Sequence, residues 1–280
     1  MNSDPATANF HAAIEPLEFM EREAWLDSYQ VGPNHDIAEL KVKGERIGQV
    51  AALGMQLPIG IFNRALGLGI ETPVTEVELD TVIAWMNRHC GKPWALPIAP
   101  AALHEEFQGW LAARGFTRGA GYSRFRHRLE RIEPHPLSTT LEVREVEPAR
   151  RADFGTVVHQ GFGMPPSIAP WVVSRVGSPG WRVYLAYDGE APVASGVVYI
   201  RGDQAWLGYG ATLATHRGRG AQSSLLARRL ADCKAAGVTS VTAETTHPPP
   251  GEEAAHISHR NLRRAGFELA YVRHNYLPPA

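Results

Sequence analysis

Between Arg217 and Leu226 the chain reads RGRGAQSSLL, a small-residue turn set directly at the start of a helix. Gly218 and Gly220 remove side-chain bulk, so backbone N–H groups can point into one concavity. The helix beginning near Ala221 adds its own unpaired amides and the positive end of its dipole. Arg217 and Arg219 add formal charge, and the whole is suited to hold phosphate. Upstream, Ala205 to Leu213 reads as a strand entering the turn. Downstream, Leu225, Leu226, Leu230 and Cys233 recur at helical spacing until Gly237, a C-cap residue. Val238 to Glu244 is rich in β-branched residues and reads as the next strand. Strand, phosphate turn, helix and strand form one βαβ unit.

The pattern Arg217, Gly218, Gly220, Ala221 resembles the signature of the GNAT acetyltransferase superfamily, in which Arg-Gly-x-Gly-x-(Gly/Ala) joins a strand to a helix. Gln222 stands where the last small residue would be, which makes the end of the turn bulkier. The resemblance covers residues 139 to 280, and His256 to Leu277 matches the family's last helix, Gly-Phe turn (Gly266, Phe267) and closing strand. It implies acetyl-CoA as co-substrate. Its pyrophosphate would lie on the amides of Arg217, Gly218, Arg219, Gly220, Ala221, Gln222 and Ser223, and its pantetheine arm along Thr212 and Leu213.

The 280 residues carry 28 Lys and Arg against 29 Asp and Glu, a net charge of −1, so no global basic field favours nucleic acid or an anionic membrane. No stretch approaches the ~18 apolar residues of a membrane span, and the first residues, MNSDPATANFHAAIEP, lack the apolar core of a leader. The two cysteines, Cys90 and Cys233, fall in predicted helices and argue against a disulfide framework. A cytoplasmic protein, monomer or homodimer, is expected.

Pro134 and Pro136 in RIEPHPLSTT interrupt regular structure and divide the chain into residues 1–133 and 137–280. The halves look like copies. Gly208, Gly237 and Gly266 recur at intervals of 29 residues, and Gly67, Gly91 and Gly115 in the same order at intervals of 24. The expected fold is α/β: two GNAT-like domains in tandem, each a mixed, mostly antiparallel sheet flanked by helices. The first copy is degenerate. Where the second half has THRGRGAQSS, the first has IETPVTEVELD, whose Glu71, Glu76, Glu78 and Asp80 would repel phosphate. Thr75 and Glu78 have capping-box spacing, so that helix satisfies its own amides.

Acetyl transfer needs a deprotonated amine, yet an ammonium of pKa ~10.4 is neutral at pH 7 only about once in 2,500 molecules. Glu244 ends the strand after the phosphate helix, beside the place where the resembled family's central strands splay around the thioester. It is the first choice of base, the alternative being an ordinary strand-end carboxylate. The family's acid, a tyrosine four residues before the Gly-Phe glycine, is Leu262 here. Ser258, His256 and Tyr209 remain as proton donors, against plainer roles as a helix cap, a solvated imidazole and a core aromatic. His247, His256 and His259 lack the pattern of a metal site, and none is expected. The arginines of YSRFRHRLER, Tyr122 to Arg131, alternate with Tyr, Phe and Leu and read as the solvated face of a strand. Phe162, Met164, Pro165 and Trp171 could wall an acceptor pocket or pack on one another. The sequence thus points to an N-acetyltransferase acting on the amine of a small molecule, amino acid or peptide; the alternative is a non-catalytic acyl-CoA-binding module.

Overall fold

The computed structural model describes residues 5–30, 39–131 and 139–280; Pro134 and Pro136 lie outside the described residues. The first half runs α1 (Pro5–Gln30), β1 (Lys43–Ile47), β2 (Val50–Gly54), β3 (Arg64–Leu66), α2 (Glu76–His89), β4 (Leu96–Ile98), α3 (Glu105–Ala113) and β5 (Thr117–Arg128). The second half runs β6 (Glu142–Glu145), α4 (Arg151–Phe162), α5 (Ala169–Val173), β7 (Trp181–Asp188), β8 (Ala191–Arg201), β9 (Gln204–Thr212), α6 (Ala221–Ala235), β10 (Ser240–Thr246), α7 (Ile257–Arg264) and β11 (Glu268–Leu277). From β1 and from β7 onward the two halves repeat one order: three antiparallel strands, helix, strand, helix, strand. In each, the third strand meets the fourth in parallel, by a single bridge from Arg64 to Ala95 in the first half and by a ladder from β9 to β10 in the second.

The last strands are exchanged between the halves. β1, β2 and β3 form one small sheet, and the other eight strands form a second in the order β4-β11-β5-β10-β9-β8-β7-β6. β11 lies between β4 and β5, and β5 lies between β11 and β10, every contact antiparallel. Each half therefore closes with its neighbour's strand. This position overturns the reading of a solvated arginine face at Arg124, while Arg126 is half-buried and Arg128 exposed. β5 is hydrogen-bonded on both sides, and Ser123, Arg124, Phe125 and His127 are all buried.

Helices cover both faces of the large sheet. The apolar stripe of α6, Leu225, Leu226, Leu230 and Cys233, is buried as its spacing predicts, packing with Val198, Leu207 and Val241. Burying one such leucine contributes about 2 kcal/mol. On the opposite face, α1, α4 and α5 enclose an aromatic core of Trp25, Tyr29, Phe62, Trp171, Trp181 and Trp206. α1 joins the halves. Its Asp27 accepts from Trp181 Nε1 at 2.5 Å, its Ser28 carbonyl accepts from Trp171 Nε1 at 3.1 Å, and its Arg22 donates to the Gln49 carbonyl at 2.6 Å. Cys233 lies within α6, while Cys90 sits one residue past α2 as its C-cap; both thiols are free.

Candidate functional site

β9 runs into a short 3-10 turn over Ala214–His216, and the chain then reaches α6 through Gly218 (φ +77°) and Gly220 (φ +82°). Both angles lie in the left-handed region, where a side chain would be strained, which is why glycine occupies them. Gly220 is the N-cap and offers no side-chain acceptor. Among the described residues no group accepts a hydrogen bond from the amides of Gly218 through Ser223; the first amide of the turn to be satisfied is that of Ser224, which donates to the Gly220 carbonyl. Six N–H groups thus stand open at a helix N-terminus. Arg217 is exposed and has no ion pair among the described residues, whereas Arg219 donates to Asp188 at 2.7 Å, an acceptor it shares with His216 at 3.3 Å. Gln222 does not crowd the turn. Its side chain folds back under the helix, where Nε2 donates to the Ala211 carbonyl (2.8 Å), to Thr212 Oγ1 (3.1 Å) and to the Ser195 carbonyl (3.3 Å).

The equivalent turn of the first half is partly closed by side chains. Gln49 Oε1 accepts from the amides of Glu71 and Thr72, at 2.9 and 3.2 Å, while Thr75 Oγ1 caps α2 by accepting from the Glu78 amide at 3.1 Å. Arg22 pairs with Glu71 at 2.5 Å. The amides of Glu71, Thr72 and Glu78 are therefore already bonded within the protein.

Between α6 and the sheet lies a cavity of about 420 Å³. It exists because β9 and β10 separate. They pair from Gln204 and Ser240 only as far as Leu207 and Ala243, and beyond that point β9 slips in register against β8, with Gly208 opposite Val197 but Ala211 opposite Ser195. The extra residue is accommodated at Tyr209, whose φ of +51° is left-handed and which marks a β-bulge. Trp25, Phe62, Phe162 and Met164 line one end of the cavity, and Leu226, Arg229, Ser258 and Leu262 the other. Of the loop residues read as a pocket wall, Phe162 and Met164 take that place. Trp171 instead lies fully inside the aromatic core, and Pro165 precedes a short 3-10 turn.

Glu244 reaches the cavity from the end of β10, but as part of a buried ion cluster. Its Oε1 accepts from Arg64 Nη1 and Nη2 at 3.1 and 3.2 Å, and its Oε2 from Arg273 Nη2 at 2.7 Å and Arg124 Nη1 at 3.2 Å. Glu18 and Glu21 of α1 complete the set: Glu21 meets Arg124 and Arg273, each at 2.7 Å, and Glu18 meets Arg273 at 2.6 Å. Three guanidiniums face three carboxylates, a balance that a site this dry requires. Burial and the neighbouring Glu21 carboxylate push Glu244 up, against the pull of Arg64, Arg273 and Arg124. Burial opposes ionisation of Glu21 as well, but Arg124, Arg273 and Arg64 outweigh it and hold that carboxyl well below its usual range.

Tyr209 and Ser258 also line the cavity. The Tyr209 hydroxyl is shut off from solvent with no hydrogen-bond partner among the described residues, and burial raises its pKa despite nearby Arg175 and Arg64. Ser258 lies exposed in the first turn of α7, and the helix is capped by His256, whose Nδ1 accepts from the His259 amide at 3.3 Å. Leu262 occupies the wall where the resembled family has its tyrosine. The other imidazoles have plain roles: His256 Nε2 pairs with Thr246 Oγ1 at 3.0 Å, His247 Nδ1 with Ser123 Oγ at 2.9 Å, and His259 packs edge-on against Phe125. Among the described residues no group of three or more His, Cys, Asp or Glu is arranged to hold a metal ion.

No protein-family model and no curated protein sequence matches this chain. Solved structures do. A GCN5-related N-acetyltransferase from Kribbella flavida superposes with a TM-score of 0.60 at 14% identity, covering 95% of this chain and 96% of its own. One from Sphaerobacter thermophilus gives 0.60 at 15% identity, over 96% and 94%. A tandem GNAT protein from the clavulanic acid biosynthesis pathway, solved without AcCoA, gives 0.55 at 15% identity, over 95% and 93%. The fold is that of the GNAT N-acetyltransferases, in tandem. Within this GNAT fold the sequence reading located the open turn, Glu244 and the bulge tyrosine, and missed Glu18, Glu21, Arg64, Arg124 and Arg273. The alternation of YSRFRHR was the available signal for Arg124, and it pointed to solvent only because the strand's second neighbour was unseen.

Proposed function

We propose that the protein is an acetyl-CoA-dependent N-acetyltransferase whose second half holds coenzyme A and whose acceptor is an amine on an apolar body. One observation carries the reading: six amides without partners among the described residues stand at the start of α6, the helix whose Gln222, Leu226 and Arg229 line a cavity opened by the parting of β9 and β10. The pyrophosphate would lie on Gly218 to Ser223, beside Arg217 and Arg219, and the pantetheine arm would follow Thr212 and Leu213 toward the bulge. The acceptor would enter at the other end, between Trp25, Phe62, Phe162 and Met164, walls that favour an apolar group. A non-catalytic acyl-CoA-binding role is less favoured by a cavity that continues past the bulge.

Glu244 is the proton acceptor in this reading. Its four acceptor positions are occupied by arginine donors, so it takes the proton only as one guanidinium loosens, and its raised pKa favours that exchange. Tyr209 keeps its proton and can donate it. A base works in its ionised form, so turnover should fall with acid at a pH above the ordinary carboxylate range. Release of free thiol from acetyl-CoA in the presence of a panel of arylalkyl and alkyl amines tests the activity. Glu244→Gln should lose the acid limb of the pH profile and about 10²-fold in kcat with little change in KM for acetyl-CoA. Unchanged turnover from pH 6 to 9 would remove Glu244 from the chemistry.

A further inference from the structure

Two turns into α6, Arg229 projects toward the sheet and is only 2% exposed. Its guanidinium lies against the main chain of β8: a Cβ at Gly196, the residue facing the bulge, would come within 2.7 Å of Arg229 Cζ. Nε donates to the Leu225 carbonyl at 3.1 Å, and Nη1 to the carbonyls of Val197 (3.2 Å) and Gly208 (3.4 Å). Nε and Nη1 make these three bonds, and the side chain lines the cavity. Unlike Arg64, Arg124 and Arg273, it has no carboxylate. A buried cation with neutral acceptors alone is costly, and burial lowers its pKa to about 10, with Cys233 on its own helix and Tyr184 on β7 acting the other way. β8 and β9 turn only carbonyls toward it, and the one carboxylate on the cavity wall, Glu244, is occupied by other arginines.

We propose that Arg229 stabilises the thiolate of coenzyme A as the thioester is cleaved. This rests on the N-acetyltransferase reading above. The neutral amine attacks the thioester carbonyl, the C–N bond forms and the C–S bond breaks. The electron pair goes to sulfur, the nitrogen's proton goes to the base, and the sulfur leaves as an anion beside a fixed guanidinium. Leu262 offers no hydroxyl to protonate that sulfur, so the guanidinium stabilises the anion until Tyr209 donates its proton. A free alkyl thiol has a pKa of about 8.5, and a nearby buried cation lowers it.

The test follows the ultraviolet absorbance of the thiolate of coenzyme A bound to the full-length protein, from pH 6 to 10. The bound thiol should titrate at least about one pH unit below free coenzyme A, a tenfold preference for the anion. Arg229→Met should return the midpoint to that of free coenzyme A or above, while the affinity for acetyl-CoA, which has no thiol, changes less. An unshifted midpoint in the wild type, or the same depressed midpoint in Arg229→Met, overturns the proposal. Should the variant fail to fold, the wild type alone decides: its affinity ratio for coenzyme A over desulfo-coenzyme A should rise with pH, and a flat ratio overturns the proposal. A wild type that binds no acetyl-CoA would instead overturn the N-acetyltransferase reading.

Discussion

Two turns occupy the same place in the two halves, each between the third strand and the helix that follows it, and they differ in who satisfies their amides. In the first half Gln49 and Thr75 accept from the amides of Glu71, Thr72 and Glu78, and Arg22 pairs with the Glu71 carboxylate, so three of the turn's amides are closed within the protein. In the second half the amides from Gly218 to Ser223 have no partner among the described residues, and the Gln222 side chain is drawn away beneath the helix to Ala211, Thr212 and Ser195. A duplicated backbone thus closes its amides or leaves them open according to whether the chain supplies its own acceptors. Leaving N–H groups unpaired costs stability unless water or a ligand meets them.

The largest effect should come from cutting the chain where the comparison draws its line. β5 and β11 are exchanged, so residues 139–280 alone would leave one edge of β10 and both edges of β11 unpaired. That fragment should be aggregated or unfolded and bind no acetyl-CoA by calorimetry. Co-expression with residues 1–131 should restore binding, and the intact protein should unfold in a single calorimetric transition. A soluble, binding-competent second half would show that the turn works without its neighbour.

Next is Gly220→Val. A β-branched residue at φ +82° is strained and would intrude where backbone and phosphate meet, so acetyl-CoA affinity should fall by about 100-fold, some 3 kcal/mol, in a folded protein. Normal binding would remove the amide cradle from the argument. Arg219→Ala should do less, a loss of tenfold at most that shrinks further at high salt, because this exposed arginine must first release Asp188. If the arginine proves the more damaging of the two, the site is a basic patch and not a backbone nest. The smallest effect lies in the first half. Thr75→Ala frees the Glu78 amide and should cost about 1 kcal/mol of stability without creating a second binding site. Two equivalents of acetyl-CoA bound to that variant would show that only the cap distinguishes the turns.

Much of the second half was legible because its signals are local. The glycines that need positive φ, the leucines of one helical face and the β-branched strand after Gly237 each act within a few residues, and the structure has α6 over Ala221–Ala235 and β10 over Ser240–Thr246. The paired glycines also mark equivalent places: Gly67 and Gly208 accompany the third strands, Gly91 and Gly237 follow the first helices, and Gly115 and Gly266 the second. Glu244 was legible as a position at the end of a strand, but its three arginines were not. Arg64 and Arg124 lie 180 and 120 residues away from it in sequence, and α1, which brings Glu18 and Glu21, carries no motif.

The sequence by itself determined that a left-handed glycine turn opens α6, since such a turn is decided by residues in contact along the chain. It also determined that α2 is capped from within, because Thr75 accepts from the amide three residues on whatever else packs around it. Only the tertiary structure decided which strand lies beside which. β5 and β11 each end a half and each follow a Gly-Phe pair, so nothing local says which half either closes. Their exchange depends on contacts as far apart in sequence as Glu18 and Arg273, 255 residues, and no local pattern encodes the order in which such distant edges meet. That exchange buries Arg124 and Arg273 around Glu244, and so it is the assembled sheet that gives the carboxylate at the cavity its charge and its neighbours.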